Sequence, residues 1–309
     1  MLTAPLALMI AIANWIHALP GAISNAGAIS LWQLITGYGI IFLIWLVPKV
    51  RKFWLAASLI FLMVLFIPSV ITRATLFQAL IISSDRTPVM LIQDQGQVAL
   101  INSGDQQVAN FTLLPLLQKS GINQIDWAIA TGSDPDSYEG WKSIVSKPIP
   151  IKNFASSINN PSLAGINIDA LKLNEPLAIT PQTQIELIHQ NPDLFKIQTA
   201  DTSWVLMGDV NSFQQKQLLS QTSLLPKLKA KILWWTGEEL LPELIQAVEP
   251  QIAIASNSNR NNIPITDITL GLFKAANIDL YQTTIDGAIE WTKSQILPSK
   301  ERKDSESPI

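Results

Sequence analysis

Long apolar runs at the start of the chain give way to short runs separated by polar turns. Residues 31–47 and 53–71 are each almost wholly apolar, and no charged residue precedes Lys49. A helix needs about 20 apolar residues to cross the hydrocarbon core of a bilayer. The pattern therefore predicts two transmembrane spans. A shorter apolar run over 5–19 is compatible with an interfacial helix or with a further membrane-embedded one, and both interpretations stay open.

From residue 79 onwards, the alternation of short apolar runs with turns predicts mixed strands and helices. Residues 87–93 and 98–102 flank Asp-Gln-Gly, which predicts a β-hairpin. Further strands are predicted at 125–130, 184–189, 203–207, 231–235, 251–255 and 279–283. Helices are predicted at 111–120, 138–145, 212–219, 239–247 and 267–276. This order favours an α/β fold: a membrane segment over 1–78, then an αββα sandwich over 79–292. Residues 293–309 are expected to form a disordered tail.

Charge is distributed unevenly along the chain. Residues 1–84 carry four basic side chains and no acidic one, so in a chain of net charge −3 residues 85–309 carry −7. An acidic domain repels phosphate at long range, which argues against non-specific nucleic-acid binding by this part. Lys49, Arg51 and Lys52 lie between the two predicted spans. Because short cytoplasmic loops are enriched in lysine and arginine, we expect this loop in the cytoplasm and the acidic domain on the exterior or periplasmic face.

A ten-residue segment carries the first resemblance to a known family. Residues 131–140 read Thr-Gly-Ser-Asp-Pro-Asp-Ser-Tyr-Glu-Gly. They resemble the Thr-His-x-x-x-Asp-His-x-x-Gly metal signature of the metallo-β-lactamase fold. Gly132 and Ser137 stand where that signature has histidines, and Asp136 is retained.

Two strand ends resemble the same fold. Residues 98–104 read Val-Ala-Leu-Ile-Asn-Ser-Gly, which is similar to the family strand that ends in Ile-Asp-x-Gly, with Asn102 in place of the aspartate. Residues 204–209 read Trp-Val-Leu-Met-Gly-Asp. This segment resembles the strand whose terminal aspartate bridges two metal ions in the family, and Asp209 is retained.

Three later segments continue the resemblance in the family's order. Residues 232–239 read Ile-Leu-Trp-Trp-Thr-Gly-Glu-Glu, where the family has a strand that runs into His-His-Gly-Ser. Thr236 and Gly237 take the histidine positions. Residues 247–258 resemble the helix end and strand near the C-terminus of the domain, and residues 281–291 resemble its closing hairpin.

The supply of metal ligands is small. The chain has two histidines and no cysteine, whereas a two-metal site needs several imidazole, carboxylate or thiolate ligands around each ion. The resemblance therefore implies a metallo-β-lactamase-like domain without its metal site, and we expect no cofactor and no catalytic residue. One alternative is a metal-dependent hydrolase or nuclease with an altered site that uses Asp134, Asp136, Asp209 and His189.

Membrane helices joined to such a domain resemble the C-terminal half of ComEC-type competence proteins, the inner-membrane channels that take up single-stranded DNA. The resemblance implies a multi-pass inner-membrane protein whose partners are the lipid bilayer and a separate channel subunit, with DNA suggested by resemblance alone. The sequence departs from this family in two respects. The large helical channel core is missing, and residues 82–88 lack the family's Asp-x-Gly-Gln-Gly-Asp motif. A fragment whose other half is encoded separately is a further alternative.

The acidic residues of these segments also have structural interpretations. Asp134 and Asp136 lie in a stretch rich in glycine, proline and serine, where carboxylates commonly bond to turn backbone. Asp209 is expected in a turn or at the start of a helix. Glu238 and Glu239 are expected in the first turn of a helix, where negative charge complements the helix dipole.

The histidines and a tryptophan pair are interpreted in the same way. His189 lies on a predicted strand without a neighbouring ligand, so an ordinary surface or partly buried histidine is expected. His17 lies in an apolar run and has a functional interpretation only if that run is embedded in the membrane. Trp234 and Trp235 are adjacent on a strand, so at least one of them must face the core. Packing is therefore favoured over a stacking platform for bases.

Overall fold

The computed structural model describes most of the chain after residue 76 and part of the region before it. The described residues are 31–46, 56, 59–61, 63–64, 76–83, 89–131, 135–146, 149–157, 168–256, 265–292 and 296–298, with 135–139 described by their backbone alone. The chain divides into two compact units, one of Met1–Ile67 with Pro115–Asn123 and one of Pro68–Leu114 with Gln124–Ile309.

The first unit contains helix α1, Leu31–Leu46, which is 16 residues long. Gly37 of α1 lies against Phe61, because a Cβ atom added at Gly37 would be 2.5 Å from Phe61 Cε2. Within the described residues, no helix is both long and apolar enough to cross a membrane. The span predicted at 31–47 is described as a helix over Leu31–Leu46, most of the one at 53–71 is not described, and 5–19 lies outside the described residues. Both spans stay predictions.

The described strands of the second unit form two sheets. Their bounds are β1 Phe77–Ile82, β2 Val89–Asp94, β3 Gln97–Ile101, β4 Ile125–Ala130, β5 Ile151–Ser156, β6 Ile168–Ala170, β7 Pro176–Thr180, β8 Thr183–His189, β9 Leu194–Gln198, β10 Ser203–Met207, β11 Ile232–Trp235, β12 Ile252–Ala255, β13 Asp279–Gln282, β14 Ile289–Thr292 and β15 Ile296–Pro298. One sheet has the order β15-β14-β1-β2-β3-β4-β5-β6, and the other has the order β13-β12-β11-β10-β9-β8-β7.

Most of the other described helices lie in connections between parallel strands. Their bounds are α2 Gln106–Val108, α3 Leu114–Lys119, α4 Pro135–Val145, α5 Ser212–Leu219, α6 Leu225–Leu228, α7 Pro242–Val248, α8 Asp267–Ala275 and α9 Thr283–Asp286, with a π-helical segment Ala109–Leu113 that joins α2 to α3. Strands β3 to β6 are parallel, as are β10 to β13, and the remaining pairs are antiparallel.

The predicted hairpin is confirmed at β2 and β3. These strands pair so that Asp94 faces Gln97 across a two-residue turn. Gln95 and Gly96 of the turn both have positive φ, 49° and 84°. Such a turn matches the right-handed twist of the flanking strands, and glycine adopts its second position without steric cost.

Alternate side chains of the central strands enter two different cores. In β11, Ile232 and Trp234 face the other sheet, whereas Leu233 and Trp235 face the helices. The residues of β10 alternate in the same way. Because both faces are covered, these strands are continuous apolar runs rather than alternating ones.

The outer face of the larger sheet is also covered by helices. Trp141 of α4 is fully buried and packs edge-on against Phe154 of β5, with 5.0 Å between ring centroids. Helices thus lie on both outer faces of two stacked sheets. The mixed α/β sandwich expected from the sequence is confirmed, with the layer order αββα.

Several boundaries differ from the prediction. The sandwich continues past 292, because β15 pairs with β14 through Pro298. Helix α4 begins at Pro135 rather than at 138, so Asp136 lies in a helix and not in a turn. The helix predicted at 239–247 is α7, which begins at Pro242. Proline is favoured in the first helical turn because its missing N–H group is not needed there.

Candidate functional site

One buried carboxylate fixes how the two sheets are aligned. Asp94, at the end of β2, is fully buried, and its Oδ2 accepts hydrogen bonds from Thr180 Oγ1 and Gln182 N, both at 2.8 Å. Thr180 is the last residue of β7, and Gln182 lies in the turn that leads into β8. The end of the sandwich where β3 begins is therefore the end where β8 begins.

The same contact locates the candidate site. Strand β9 is antiparallel to both β8 and β10, so β10 begins at the end where β8 begins. It follows that β3, β4 and β5 of one sheet and β10, β11 and β12 of the other all end at the opposite edge, which we call the carboxyl edge. Loops that follow parallel strands are the usual place for binding sites in α/β folds.

Asn102 links the end of β3 to the end of β4 through hydrogen bonds. It directly follows β3, has φ 58° and is fully buried. Its Nδ2 donates to Thr131 Oγ1 at 2.7 Å, and its Oδ1 accepts from Thr131 N at 2.9 Å. The backbone N–H of Asn102 also donates to the Ile129 carbonyl oxygen at 2.7 Å. Both ends of the side-chain amide are thus engaged in holding two strand ends together.

The signature segment itself is only partly described. Gly132 and Asp134 lie outside the described residues. Asp136 and Ser137 lie in the first turn of α4, with their backbone alone described. The backbone therefore places Asp136 and Ser137 in the connection that follows β4 at the carboxyl edge.

The second sheet contributes Asp209, Thr236 and Gly237 to the carboxyl edge. Asp209 is exposed and lies two residues beyond β10. Thr236 directly follows β11, and its buried Oγ1 has no hydrogen-bond partner among the described residues. Gly237 is buried and has φ 102°. Side chains other than glycine rarely adopt such backbone angles, so the local conformation at 237 disfavours a histidine there.

Glu238 and Asp209 follow two neighbouring parallel strands, β11 and β10. Partial loss of hydration on folding and, as the smaller cause, the negative charge of Asp209 raise the pKa of the Glu238 carboxyl above its ordinary value. Its backbone carbonyl accepts a hydrogen bond from Trp235 Nε1 at 3.0 Å, which holds the loop. The expectation that Glu238 and Glu239 begin a helix is wrong, because both precede α7. The sequence signal for the pair was available: each carboxylate follows a buried strand of one parallel set.

We expect Asp209→Asn to lower the pKa of Glu238 but to leave it above its ordinary value, because loss of hydration is the larger cause. A raised pKa means that the folded state holds this proton more tightly. The contribution of Glu238 to stability is therefore present below its ordinary pKa and is lost as the pH rises through the folded value. NMR titration of ¹³Cδ-labelled glutamate in the wild-type chain and in Asp209→Asn measures the change. An unchanged Glu238 titration would contradict the proximity of the two carboxylates.

Both tryptophans of the pair 234–235 are core residues, one on each face of the strand. Trp234 and Trp235 are 0% and 1% exposed, one in the core between the sheets and one in the core beneath the helices. Trp234 Nε1 donates to the buried Ser256 Oγ at 2.9 Å. Packing is therefore confirmed, and neither ring is available as a stacking platform.

His189 is the only histidine of the sandwich, and both of its ring nitrogens are engaged. Nδ1 donates to the Pro192 carbonyl oxygen at 2.8 Å, and Nε2 accepts from Gln221 Nε2 at 3.1 Å. The residue is partly buried, as expected from the sequence. It stands at the end of β8, two strands away from the end of β10.

These side chains do not fit a transition-metal centre. Zinc sites draw on imidazole or thiolate nitrogen and sulfur donors. At the carboxyl edge the described side chains offer mainly oxygen donors, such as the carboxylates of Asp209 and Glu238, and the one imidazole, that of His189, is engaged by Pro192 and Gln221. Within the described residues, no group of three or more histidine, cysteine, aspartate or glutamate side chains is arranged to hold a metal ion.

Comparison with known proteins gives similarity of fold only. No protein-family profile and no curated protein matches the sequence. Zinc-bound PqqB from Methylobacterium extorquens is similar over 66% of this chain and 97% of its own, at 12% identity and a TM-score of 0.43. A diphosphatase of the PhnP family is similar over 71% and 99%, at 10% identity and 0.42. A metallo-β-lactamase with the HARLDQ motif from Cronobacter sakazakii is similar over 64% and 88%, at 11% identity and 0.40.

The sheet order and the layers of this chain define its class directly. It is a mixed α/β sandwich of two sheets with helices on both outer faces, in which small polar residues and carboxylates occupy the carboxyl edge.

Proposed function

We propose that this chain is a membrane-anchored, non-catalytic protein related to ComEC-type competence proteins, whose sandwich acts by binding or scaffolding. One observation supports this most strongly. The side-chain amide of Asn102 forms hydrogen bonds to Thr131 through both its nitrogen and its oxygen. The resemblance implies an aspartate at this position. An amide that bonds to a neighbouring strand end stabilises the edge. It supplies neither the charge nor the free lone pairs of a metal ligand.

The sequence of the other strand ends supports the same proposal. Thr236 and Gly237 replace the implied histidines, and His189 is bonded to Pro192 and Gln221 instead of facing Asp209. A metal-activated water is the nucleophile of metal-dependent hydrolysis. The described imidazole, that of His189, already bonds through both ring nitrogens, so it is not free to hold a metal ion that would activate this water.

Membrane attachment is proposed from the surface of α1. The helix carries no charged residue. Ten of its large apolar side chains are more than 45% exposed: Leu31, Trp32, Leu34, Ile35, Tyr38, Ile41, Phe42, Leu43, Trp45 and Leu46. A helix that is apolar all round needs an apolar environment, which a bilayer or other membrane helices provide. We therefore propose the lipid bilayer and a separate channel subunit as partners, at the inner membrane.

Reporter fusions test the orientation of this anchor. We expect a fusion after Thr72 to be active as an exported alkaline phosphatase and a fusion near Lys49 to be active as a cytoplasmic reporter, because Lys49, Arg51 and Lys52 favour the cytoplasmic side. The reverse pattern would reject the orientation. Release of the whole chain by a carbonate wash of membranes would reject the anchor itself.

A hydrolase with an altered site is the second candidate. The observation in its favour is the Asp209–Glu238 pair, because a carboxyl with a raised pKa beside a second carboxylate is a common arrangement for acid–base chemistry. Hydrolysis of a phosphodiester that is lost in both Asp209→Asn and Glu238→Gln would favour this candidate over a binding role.

A further inference from the structure

Two large apolar side chains stand exposed on the carboxyl edge. Phe213, in the first turn of α5, is 76% exposed, and Ile268, in the first turn of α8, is 61% exposed. Between them runs the loop that follows β11. We call the surface formed by Asp209, Phe213, Glu238, Glu239, Asp267 and Ile268 the acidic–apolar strip.

Buried hydrogen bonds join the three parts of this strip into one surface. Gln215 is fully buried; its Nε2 donates to the Val210 and Glu239 carbonyl oxygens at 2.9 and 2.7 Å, and its Oε1 accepts from Leu241 N at 2.8 Å. The start of α5 is thereby tied to the loop. Leu240 N donates to Thr269 Oγ1 at 3.3 Å, which ties the loop to the start of α8.

The strip carries negative charge. Its four carboxylates, Asp209, Glu238, Glu239 and Asp267, are all exposed. The one described basic side chain nearby is Lys216, in the last turn of α5. Lys274 lies at the far end of α8, and residues 257–264 fall outside the described part of the chain.

Several of the other described lysines lie at the opposite end of the sandwich. Lys152 lies near the start of β5, and Lys229 and Lys231 precede β11. Lys152 and Lys229 are moreover paired with Asp126 and Glu249, at 2.7 Å each. The four carboxylates of the strip have no ion-pair partner among the described residues, and they lie beside exposed apolar side chains.

We propose that the acidic–apolar strip is a docking surface for a basic amphipathic segment of another protein, which places apolar side chains on Phe213 and Ile268 and lysine or arginine side chains on the surrounding carboxylates. This deepens the proposed function and rests on it, because it assumes that the carboxyl edge binds rather than catalyses. Exposed aromatic side chains are frequent anchors of protein interfaces, and complementary charge steers association and fixes register.

Charge selects this partner over two others. A nucleic acid presents a dense row of phosphates, which four carboxylates repel. The surface of an anionic bilayer attracts basic side chains, and the strip offers carboxylates instead. An extended or helical basic segment satisfies both the apolar and the acidic components.

A dye attached beside the strip reports binding. The chain contains no cysteine, so Gln217→Cys creates a unique thiol on α5, one turn beyond Phe213. An environment-sensitive fluorophore on this thiol, in the full chain in detergent micelles, is titrated with a helical peptide of leucine and lysine. The matched peptide of leucine and glutamate and a single-stranded oligodeoxythymidine are titrated in parallel.

We expect saturable binding of the lysine peptide alone. In the same labelled background, Phe213→Ala with Ile268→Ala should weaken this binding by about tenfold or more. Phe111→Ala is the matched control: Phe111 is 77% exposed but lies in the π-helical segment next to α4. Glu238→Gln with Asp267→Asn should also weaken binding, and Asp201→Asn, at the opposite end, should not.

Equal effects of the Phe213/Ile268 and Phe111 variants would overturn the proposal, as would equal binding of the glutamate peptide or tighter binding of the oligonucleotide. Metal content and diesterase activity are measured on the same preparation, so that failure of the docking surface is distinguished from failure of the non-catalytic role. An inert preparation that fails to bind the lysine peptide refutes the docking surface and leaves the non-catalytic role standing. A preparation with tightly bound metal and diesterase activity refutes the non-catalytic role itself.

Discussion

Replacing Trp204 by alanine lowers the free energy of unfolding by about 3–5 kcal/mol, the range found when large aromatic side chains are removed from a packed core. Trp204 is 1% exposed and lies in the core between the sheets. Its ring packs edge-on against Trp291 of the other sheet, with 5.5 Å between centroids and 78° between planes. The substitution therefore removes both buried area and a contact that joins the two sheets. Urea unfolding followed by far-ultraviolet circular dichroism measures the loss.

Two companion variants identify the cause of this loss. The indole N–H of Trp204 is buried without a hydrogen-bond acceptor among the described residues, so Trp204→Phe gives up volume but no hydrogen bond and should cost much less than alanine. A double-mutant cycle with Trp291→Ala should give a coupling of about 0.5–1.5 kcal/mol for the aromatic pair. Additive effects of the two alanine variants would contradict the packing of one sheet on the other at this point.

Replacing Gly140 by alanine destabilises the chain by about 1–3 kcal/mol, the usual cost of overpacking. Gly140 is buried in the middle of α4, where alanine would normally be the better helix former. A Cβ atom at this position would overlap the backbone carbonyl oxygen of Gly104 and lie 2.6 Å from Ser103 Oγ. Backbone has little freedom to move away, so the helix or the strand end must shift.

Gly271 provides the matched control. It lies in the middle of α8, is exposed and would place a Cβ atom within 4 Å of nothing. Gly271→Ala is expected to stabilise by about 0.5–1 kcal/mol, because alanine loses less backbone entropy on folding. The two substitutions are chemically identical and should have opposite signs in the same unfolding assay. Stabilisation by both would show that α4 does not approach Ser103 and Gly104 closely.

Gly140 also shows that a residue of the resembled signature at 131–140 can be explained by packing alone. It corresponds to the last glycine of the resembled signature, and its contact is with the loop that follows β3. That contact needs no metal. The resemblance at 131–140 is therefore explained at this position by the approach of a helix to a strand end.

The elements with strong periodicity were predictable from the sequence. The strands at 125–130 and 203–207 and the helix at 212–219 have the predicted bounds. Their apolar residues recur with a period that packing on one or both faces requires. The early start of α4 and the late start of α7 were missed, because in each case a proline opens the helix and its polar neighbours do not reveal which turn it begins.

The carboxyl edge was predictable only in part. That Asn102, Asp209 and Thr236 follow strands could be deduced from the sequence. The pairing of Glu238 with Asp209 depends on β10 and β11 being neighbours, and the role of Gln215 depends on its burial, which its polar side chain does not suggest. Asn102 resembled a lost ligand, and its bonds to Thr131 were visible only when two strand ends were placed side by side.

Metal content decides whether the carboxyl edge holds a metal ion. The full chain, its Asp209→Ala variant and its Asp136→Ala variant are loaded with zinc or manganese, dialysed against metal-free buffer and measured by elemental analysis, with phosphodiester hydrolysis assayed on the same samples. The account predicts that none of the three retains stoichiometric metal or hydrolyses the diester, because two carboxylates without imidazole hold such ions weakly. Retention of one metal ion per wild-type chain, lost in both variants together with diesterase activity, would contradict it.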